Sequence, residues 1–124
     1  MPRVLVVDDS ASTRAYVSAV LPTGDYEVDE AASGFDAMRL LPKGRYDLLV
    51  FDVIVPEING LELISFVRKN AHYCNTPILV ISTQAKSMDV QRALPLGANG
   101  FLPKPFAPEA LMRSASDALI GVTT

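Results

Sequence analysis

The sequence predicts an α/β domain built on a parallel sheet, and three features carry that expectation. Short apolar runs and amphipathic runs alternate five times along the chain. Three of the apolar runs, Val4–Val7, Leu48–Phe51 and Ile78–Ile81, contain no polar residue at all, as strands covered on both faces do. Acids, hydroxyls and a lysine stand where the runs end. At 124 residues, 49% of them apolar, the chain is long enough to bury one core and is expected to form a single domain over residues 1–124.

The first strand, Val4–Val7, ends at Asp8-Asp9-Ser10 and hands over to a helix expected from Ala11 to about Leu21. Thr13, Tyr16, Val17, Val20 and Leu21 share one side of it. Pro22-Thr23-Gly24 stops the helix. Glu27–Ala31 alternates charged residues with small or apolar ones, as a half-exposed edge strand does. Ser33 can cap a helix reaching about Leu41, which Pro42 and Gly44 close. The third strand, Leu48–Phe51, runs into Asp52, and the helix from Leu61 to about Lys69 turns Leu63, Ile64 and Val67 inward. Pro77 introduces the fourth strand, Ile78–Ile81, which leads to Ser82 and Thr83. A helix from about Ser87 to Leu96 follows. Pro95 in its last turns removes a backbone donor and crowds the carbonyl of Gln91, so an early end to this helix is expected. Phe101–Pro103 is a short fifth strand, placed at a sheet edge by its proline. Pro108 suits the first turn of the last helix, with Leu111, Met112, Ala115 and Leu119 as its buried stripe.

Strand and helix in strict alternation call for a doubly wound sheet with helices on both faces. The three fully apolar strands belong in its centre and the second and fifth at its edges, which is the flavodoxin-like order 2-1-3-4-5. A net charge of -3 gives no reason to expect binding to nucleic acid or to an anionic membrane. No apolar run is long enough to span a bilayer, and the start of the chain lacks a signal-peptide core, so a cytoplasmic protein is expected. The lone thiol, Cys74, has no partner for a disulfide.

In such a sheet the carboxyl ends of the strands open on one rim, where ligands bind. Asp8 and Asp9, Asp52, Ser82 and Thr83, and Lys104 all fall there. Taken singly each has a plain reading: a helix cap for the two acids, a turn for Asp52 and for Ser82-Thr83, an exposed loop for Lys104. Taken together they make a phosphoryl-transfer site. Three crowded carboxylates need a cation, and magnesium suits oxygen ligands that must also hold a phosphate, with manganese able to substitute. A carboxylate can be the nucleophile, while lysine and hydroxyl offset charge on the transferring oxygens.

These residues sit in motifs that resemble the receiver domain of two-component response regulators over essentially the whole chain: Val-Val-Asp8-Asp9-Ser, Asp52-x-x-x-Pro56-x-x-x-Gly60, Ser82 after the fourth strand, and Phe-Leu-Pro-Lys104-Pro105-Phe. The resemblance implies that Asp52 accepts the phosphoryl group from a sensor histidine kinase. It implies that Asp9, Asp52 and the backbone carbonyl of Ile54 bind magnesium, with Asp8 acting through water. Ser82 and Lys104 would hold the phosphoryl oxygens, Lys104-Pro105 would be cis, and Phe101 would be the aromatic that turns inward with Ser82. Output would pass to a protein target, or to self-association, through the fourth helix, fifth strand and fifth helix. The opening Asp-Asp-Ser-Ala-Ser-Thr-Arg is most similar to stand-alone receivers of chemotaxis and motility. A receiver that forms part of a larger hybrid protein would read the same way.

Some positions vary from the family's usual pattern. Val55 stands where methionine is frequent. Thr83 replaces a small residue and is expected to slow exchange with small phosphodonors. Ile54 and Gln84 occupy the positions that tune hydrolysis, and an apolar Ile54 cannot orient water, which implies a long-lived phosphoaspartate. Three other classes compete. A phosphohydrolase of the haloacid-dehalogenase type would need an acid at Ile54, and a mononucleotide carrier would need a hydroxyl- and glycine-rich phosphate loop where Asp8 and Asp9 would repel the phosphate. A receiver-like interaction module that ignores phosphate would not need the acidic set. The expected role is therefore a switch that catalyses only its own phosphorylation and dephosphorylation.

Overall fold

The computed structural model describes residues 1–52, 60–83 and 88–121, with 88–90 described as backbone alone. Strands β1 (Arg3–Val7), β2 (Glu27–Ala31), β3 (Leu48–Asp52), β4 (Ile78–Ser82) and β5 (Gly100–Pro103) alternate with helices α1 (Ala11–Val20), α2 (Gly34–Leu40), α3 (Gly60–Lys69), α4 (Met88–Leu96) and α5 (Pro108–Leu119). The strands form one sheet in the order β2-β1-β3-β4-β5, and every neighbouring pair is parallel. The edges are the two strands whose sequence is not uniformly apolar.

The period of two along each central strand divides the core between two helical layers. Val4 and Val6, Leu48 and Val50, and Leu79 and Ile81 pack with Val17 of α1 and with Leu111, Ala115 and Ala118 of α5. Leu5 and Val7, Leu49 and Phe51, and Ile78 and Val80 pack with Ala37 of α2, Leu63, Ile64 and Val67 of α3, and Ala93 of α4. All twelve strand residues are at most 1% exposed. This is why no polar residue is tolerated there.

The ends of the elements follow local chemistry. Ser33 caps α2, its hydroxyl accepting the Asp36 N–H at 3.1 Å. Helix α1 stops one residue earlier than its apolar spacing suggests. Leu21–Gly24 tightens into a 3-10 turn around Pro22, and Asp25 leaves it in the left-handed conformation. The expectation that Pro95 ends α4 early is corrected. Pro95 lies inside the helix, which closes beyond it at Gly97. There the N–H of Gly97 donates to the Leu94 carbonyl and that of Ala98 to the Ala93 carbonyl, a Schellman closure that uses the positive φ of Gly97, 125°. Among the described residues no helix is long and apolar enough to cross a membrane.

One half-buried cation secures this far end of α4. The Arg68 guanidinium donates from Nε and Nη2 to the Gly97 carbonyl at 3.2 and 2.7 Å. Its Nη1 reaches the carbonyls of Tyr73 and Thr76, and Nη2 also reaches Asn99 Oδ1. Arg68 therefore ties the end of α3, the turn before β4 and the α4–β5 connection together. Partial burial lowers its pKa.

Candidate functional site

Asp8 is the first residue past β1, Asp52 the last of β3, Ser82 the last of β4, and Lys104 the first past β5. In residue count Asp8 continues the series 4, 6, 8 and Asp52 the series 48, 50, 52, the positions that face α1 and α5. Lys104 follows Leu102 in the same way. Ser82 falls in step with Ile78 and Val80, on the other face. The rim therefore receives the two acids and the lysine from one side of the sheet.

The plain reading of Asp8 and Asp9 as helix caps does not hold. Ser10 is the N-cap of α1, its Oγ accepting the Thr13 N–H at 3.3 Å. This leaves the acids available. Asp8, fully buried, accepts the Ser10 N–H on Oδ1 at 2.9 Å and the Lys104 ammonium on Oδ2 at 2.6 Å. Lys104 Nζ also donates to Asp52 Oδ2 at 2.8 Å. The Lys104 side chain is only 13% exposed, so the plain reading of it as an exposed loop residue fails too.

Burial is the largest single influence on the Lys104 ammonium and pulls its pKa down. The hydrogen bonds and charges of Asp52 and Asp8 together outweigh it and hold the pKa above the ordinary lysine value. Lys104 is anchored through its backbone as well, its N–H donating to the Ser82 carbonyl at 2.9 Å. The Lys104-Pro105 peptide is cis. Tyr16 of α1 then donates its hydroxyl to the Phe106 carbonyl at 2.8 Å, with the two rings edge-on and 5.5 Å apart.

Carboxylate oxygens of Asp8, Asp9 and Asp52 lie within 4.8 Å of one another. Magnesium holds oxygen at roughly 2.1 Å in an octahedron, so neighbouring ligands sit about 3 Å apart and opposite ones about 4 Å. The three acids fit that span once a water bridges the longest distance. Three carboxylates against one ammonium leave two formal negative charges, the complement of a divalent ion. Exposed Asp9 faces solvent while Asp8 and Asp52 are buried, so one side of the cluster is open to an incoming group.

Beside the acids lies a pocket of about 370 Å³ whose lining includes Ser12, Thr13, Tyr16, Thr83, Lys104 and Phe106. Thr83 is exposed at its mouth. Ser82 is buried at the end of β4, and Phe101 is half-buried on β5 against the α2–α4 core. Ile54 and Gln84 lie outside the described residues, as does Val55.

Sequence reasoning missed Arg14. Its guanidinium donates from Nη1 to the Asp8 carbonyl at 2.7 Å and from Nε to Glu30 at 3.2 Å. The one available signal was its place in the first turn of a helix that begins two residues after the acid pair.

Comparison with known proteins agrees with this geometry. The family model for the response regulator receiver domain matches residues 4–116. A chemotaxis protein CheY homolog of Campylobacter jejuni subsp. jejuni is 37% identical over 119 residues, covering 94% of this chain and 92% of that one. The structure of the chemotaxis response regulator CheY4 of Vibrio cholerae superposes with a TM-score of 0.90 at 39% identity, covering 96% of this chain and 99% of that one. The receiver domain of the sensor histidine kinase PA1611 from Pseudomonas aeruginosa, whose structure has a magnesium ion coordinated in the active site cleft, superposes with a TM-score of 0.88 at 26% identity, covering 95% and 97%. Both its sequence and its fold make this chain a member of the response-regulator receiver domain family, the signalling switches of two-component systems.

Proposed function

We propose that the chain is a phosphorylation switch in which Asp52 accepts a phosphoryl group from the phosphohistidine of a sensor kinase. The observation that carries this reading is the bridge from Lys104 to Asp52 and Asp8 within a cluster of three carboxylates. A carboxylate oxygen of Asp52 attacks phosphorus, the phosphorus–nitrogen bond breaks, and the departing imidazole nitrogen takes up a proton. Lys104, already within reach of Asp52, moves its charge to a phosphoryl oxygen, and Ser82 donates to another. Asp9, Asp52 and the Ile54 carbonyl would hold magnesium, or manganese in its place, with Asp8 acting through a bound water. Such an ion, as reported in the PA1611 receiver cleft, supplies positive charge to the transferring oxygens. Water attack on the phosphoaspartate returns Asp52 and releases phosphate, at a rate tuned by Ile54, Thr83 and Gln84. Thr83 narrows access from the adjoining pocket to small donors.

The added charge at Asp52 shifts the population toward a state with Ser82 and Phe101 rearranged. The output face is α4, β5 and α5, which meets a protein target or a second copy; Leu94 and Leu96 are exposed on α4 there. Similarity to CheY proteins supports a role in chemotaxis or motility. The cytoplasm, where such a kinase presents its phosphohistidine, is the compartment of this reading, and the free thiol of Cys74 suits it.

Incubation with magnesium and a small acyl phosphate tests the reading, with intact mass as the readout. One added phosphoryl group is expected on the wild type and none on Asp52→Asn. Uptake that survives in Asp52→Asn would move the acceptor elsewhere, and no uptake by the wild type would make the domain a phosphate-independent interaction module.

A further inference from the structure

The acid pair is joined by one peptide group, and its carbonyl has lost its place in the sheet. Asp8 still donates its N–H to the Ala31 carbonyl at 3.1 Å. Ala31 is the last residue of β2, however, and the chain then turns away into α2. Among the described residues no backbone N–H donates to the Asp8 carbonyl. A buried carbonyl left without a donor is destabilising. Arg14 supplies the donor from the first turns of α1, at 2.7 Å. The guanidinium is itself aimed by Glu30, whose Oε1 accepts from Nε while Oε2 accepts the Ser18 hydroxyl at 2.9 Å. The Arg14 side chain is 18% exposed, while Glu30, at 42%, stays open to solvent, so the shielded part of the arrangement is the contact with the Asp8 carbonyl.

We infer that Arg14 is a positioning residue for cation binding: by gripping the Asp8 carbonyl it sets the plane of the Asp8–Asp9 peptide and thereby where the Asp9 carboxylate points. Asp8 itself is held on both oxygens and on its N–H. Asp9 is exposed, and the orientation of the peptide before it sets the direction in which its Cα–Cβ bond leaves the backbone. This inference rests on the proposed metal reading of the acid cluster and goes beyond it in assigning a residue that touches no metal. Groups that orient metal ligands typically alter affinity by about 10–100-fold when removed.

The sign of the effect separates positioning from electrostatics. Arg14→Met removes a positive charge near three carboxylates, and by charge alone this tightens the binding of a cation. Loss of positioning weakens it. Calorimetric titration of the full chain with magnesium is expected to give binding about tenfold weaker in Arg14→Met. Arg14→Lys keeps the charge but not the two-pronged grip, and is expected to recover part of the loss. Should Arg14→Met fail to fold, Arg14→Lys decides alone: binding at least about twofold weaker than wild type supports positioning. Equal or tighter binding in whichever variant folds overturns the inference. A wild type that binds no magnesium would overturn the metal reading and this inference with it, whereas normal wild-type binding with unaffected variants overturns the inference alone.

Discussion

Removing the Lys104 ammonium puts the site's electrostatics to a direct test, and Lys104→Met does so with little change in side-chain length. Nζ lies 2.6 Å from Asp8 and 2.8 Å from Asp52. The Asp8 side chain is 0% exposed and that of Asp52 10%. Breaking a buried ion pair by deleting one partner costs about 3–5 kcal/mol, because the remaining charge stays buried. Asp8 keeps the Ser10 N–H and the cluster opens to water at Asp9, so the lower end, about 3 kcal/mol, applies. For a domain of this size that corresponds to a fall in Tm of roughly 12 °C.

Thermal or urea unfolding in a chelator gives the measurement. Repeating it in excess magnesium gives the control. A divalent ion restores the missing positive charge, so the variant binds it more tightly and gains more stability than the wild type does. The gap between the two proteins therefore narrows. The pH dependence has a definite sign as well. The Lys104 pKa is raised in the fold, so its contribution is complete below the ordinary value of 10.5 and is lost as pH rises through the raised one. A metal-free Lys104→Met as stable as the wild type, or a gap that widens with magnesium, would refute the picture of an ammonium neutralising buried carboxylates.

Other perturbations probe the scaffold. Burial, the hydrogen bond to Asp29 and the Asp29 charge, partly opposed by Arg3, push the Tyr46 phenol up to about 12. Its contribution to stability is present below the ordinary value of 10.0 and lost as pH climbs through about 12. A near-ultraviolet titration of the four tyrosines should show a last step that Tyr46→Phe removes; a single common step would contradict it. Gly97→Ala places a Cβ 2.7 Å from Arg68 Nε at a φ of +125°. It is expected to cost about 2–3 kcal/mol in urea unfolding, and a loss below roughly 0.5 kcal/mol would show that the α4 closure yields easily.

The strands were legible because each central one is apolar without interruption, and that composition survives only under two helical layers. Ser33 was legible as a cap because its hydroxyl stands one residue before a helical period begins. The convergence of Asp8, Asp9, Asp52, Ser82 and Lys104 followed from topology, since parallel strands bring their carboxyl ends to one rim. What escaped the sequence is what depends on long side chains finding carbonyls. Arg14 and Arg68 look like ordinary helix-surface cations, and nothing in their spacing reveals that a lost ladder partner or a helix end needs a donor. The choice of Ser10 over the two acids as the cap of α1 was hidden for a related reason. Both residue types can cap, and the start of α1 at Ala11 puts Ser10 at the capping position while Lys104 engages Asp8. Pro95 misled because the missing donor of one residue says little when a glycine two positions on can still close the helix.

The clasp of Arg68 on the Gly97 carbonyl has a mechanical consequence. Helix α4 is secured at the end farther from the acids, so displacement of the rest of the helix is a tilt about that point and not a slide. At 1.5 Å per residue its nine residues make a lever arm of about 13 Å, and a tilt of about 10° carries the free end roughly 2 Å. In the proposed switch a small change at the rim would be read as an angle along the helix, largest beside the site and vanishing at Gly97. A partner gripping α4 near its beginning would sense the switch strongly, and one resting on Leu94 and Leu96 would feel a nearly stationary surface.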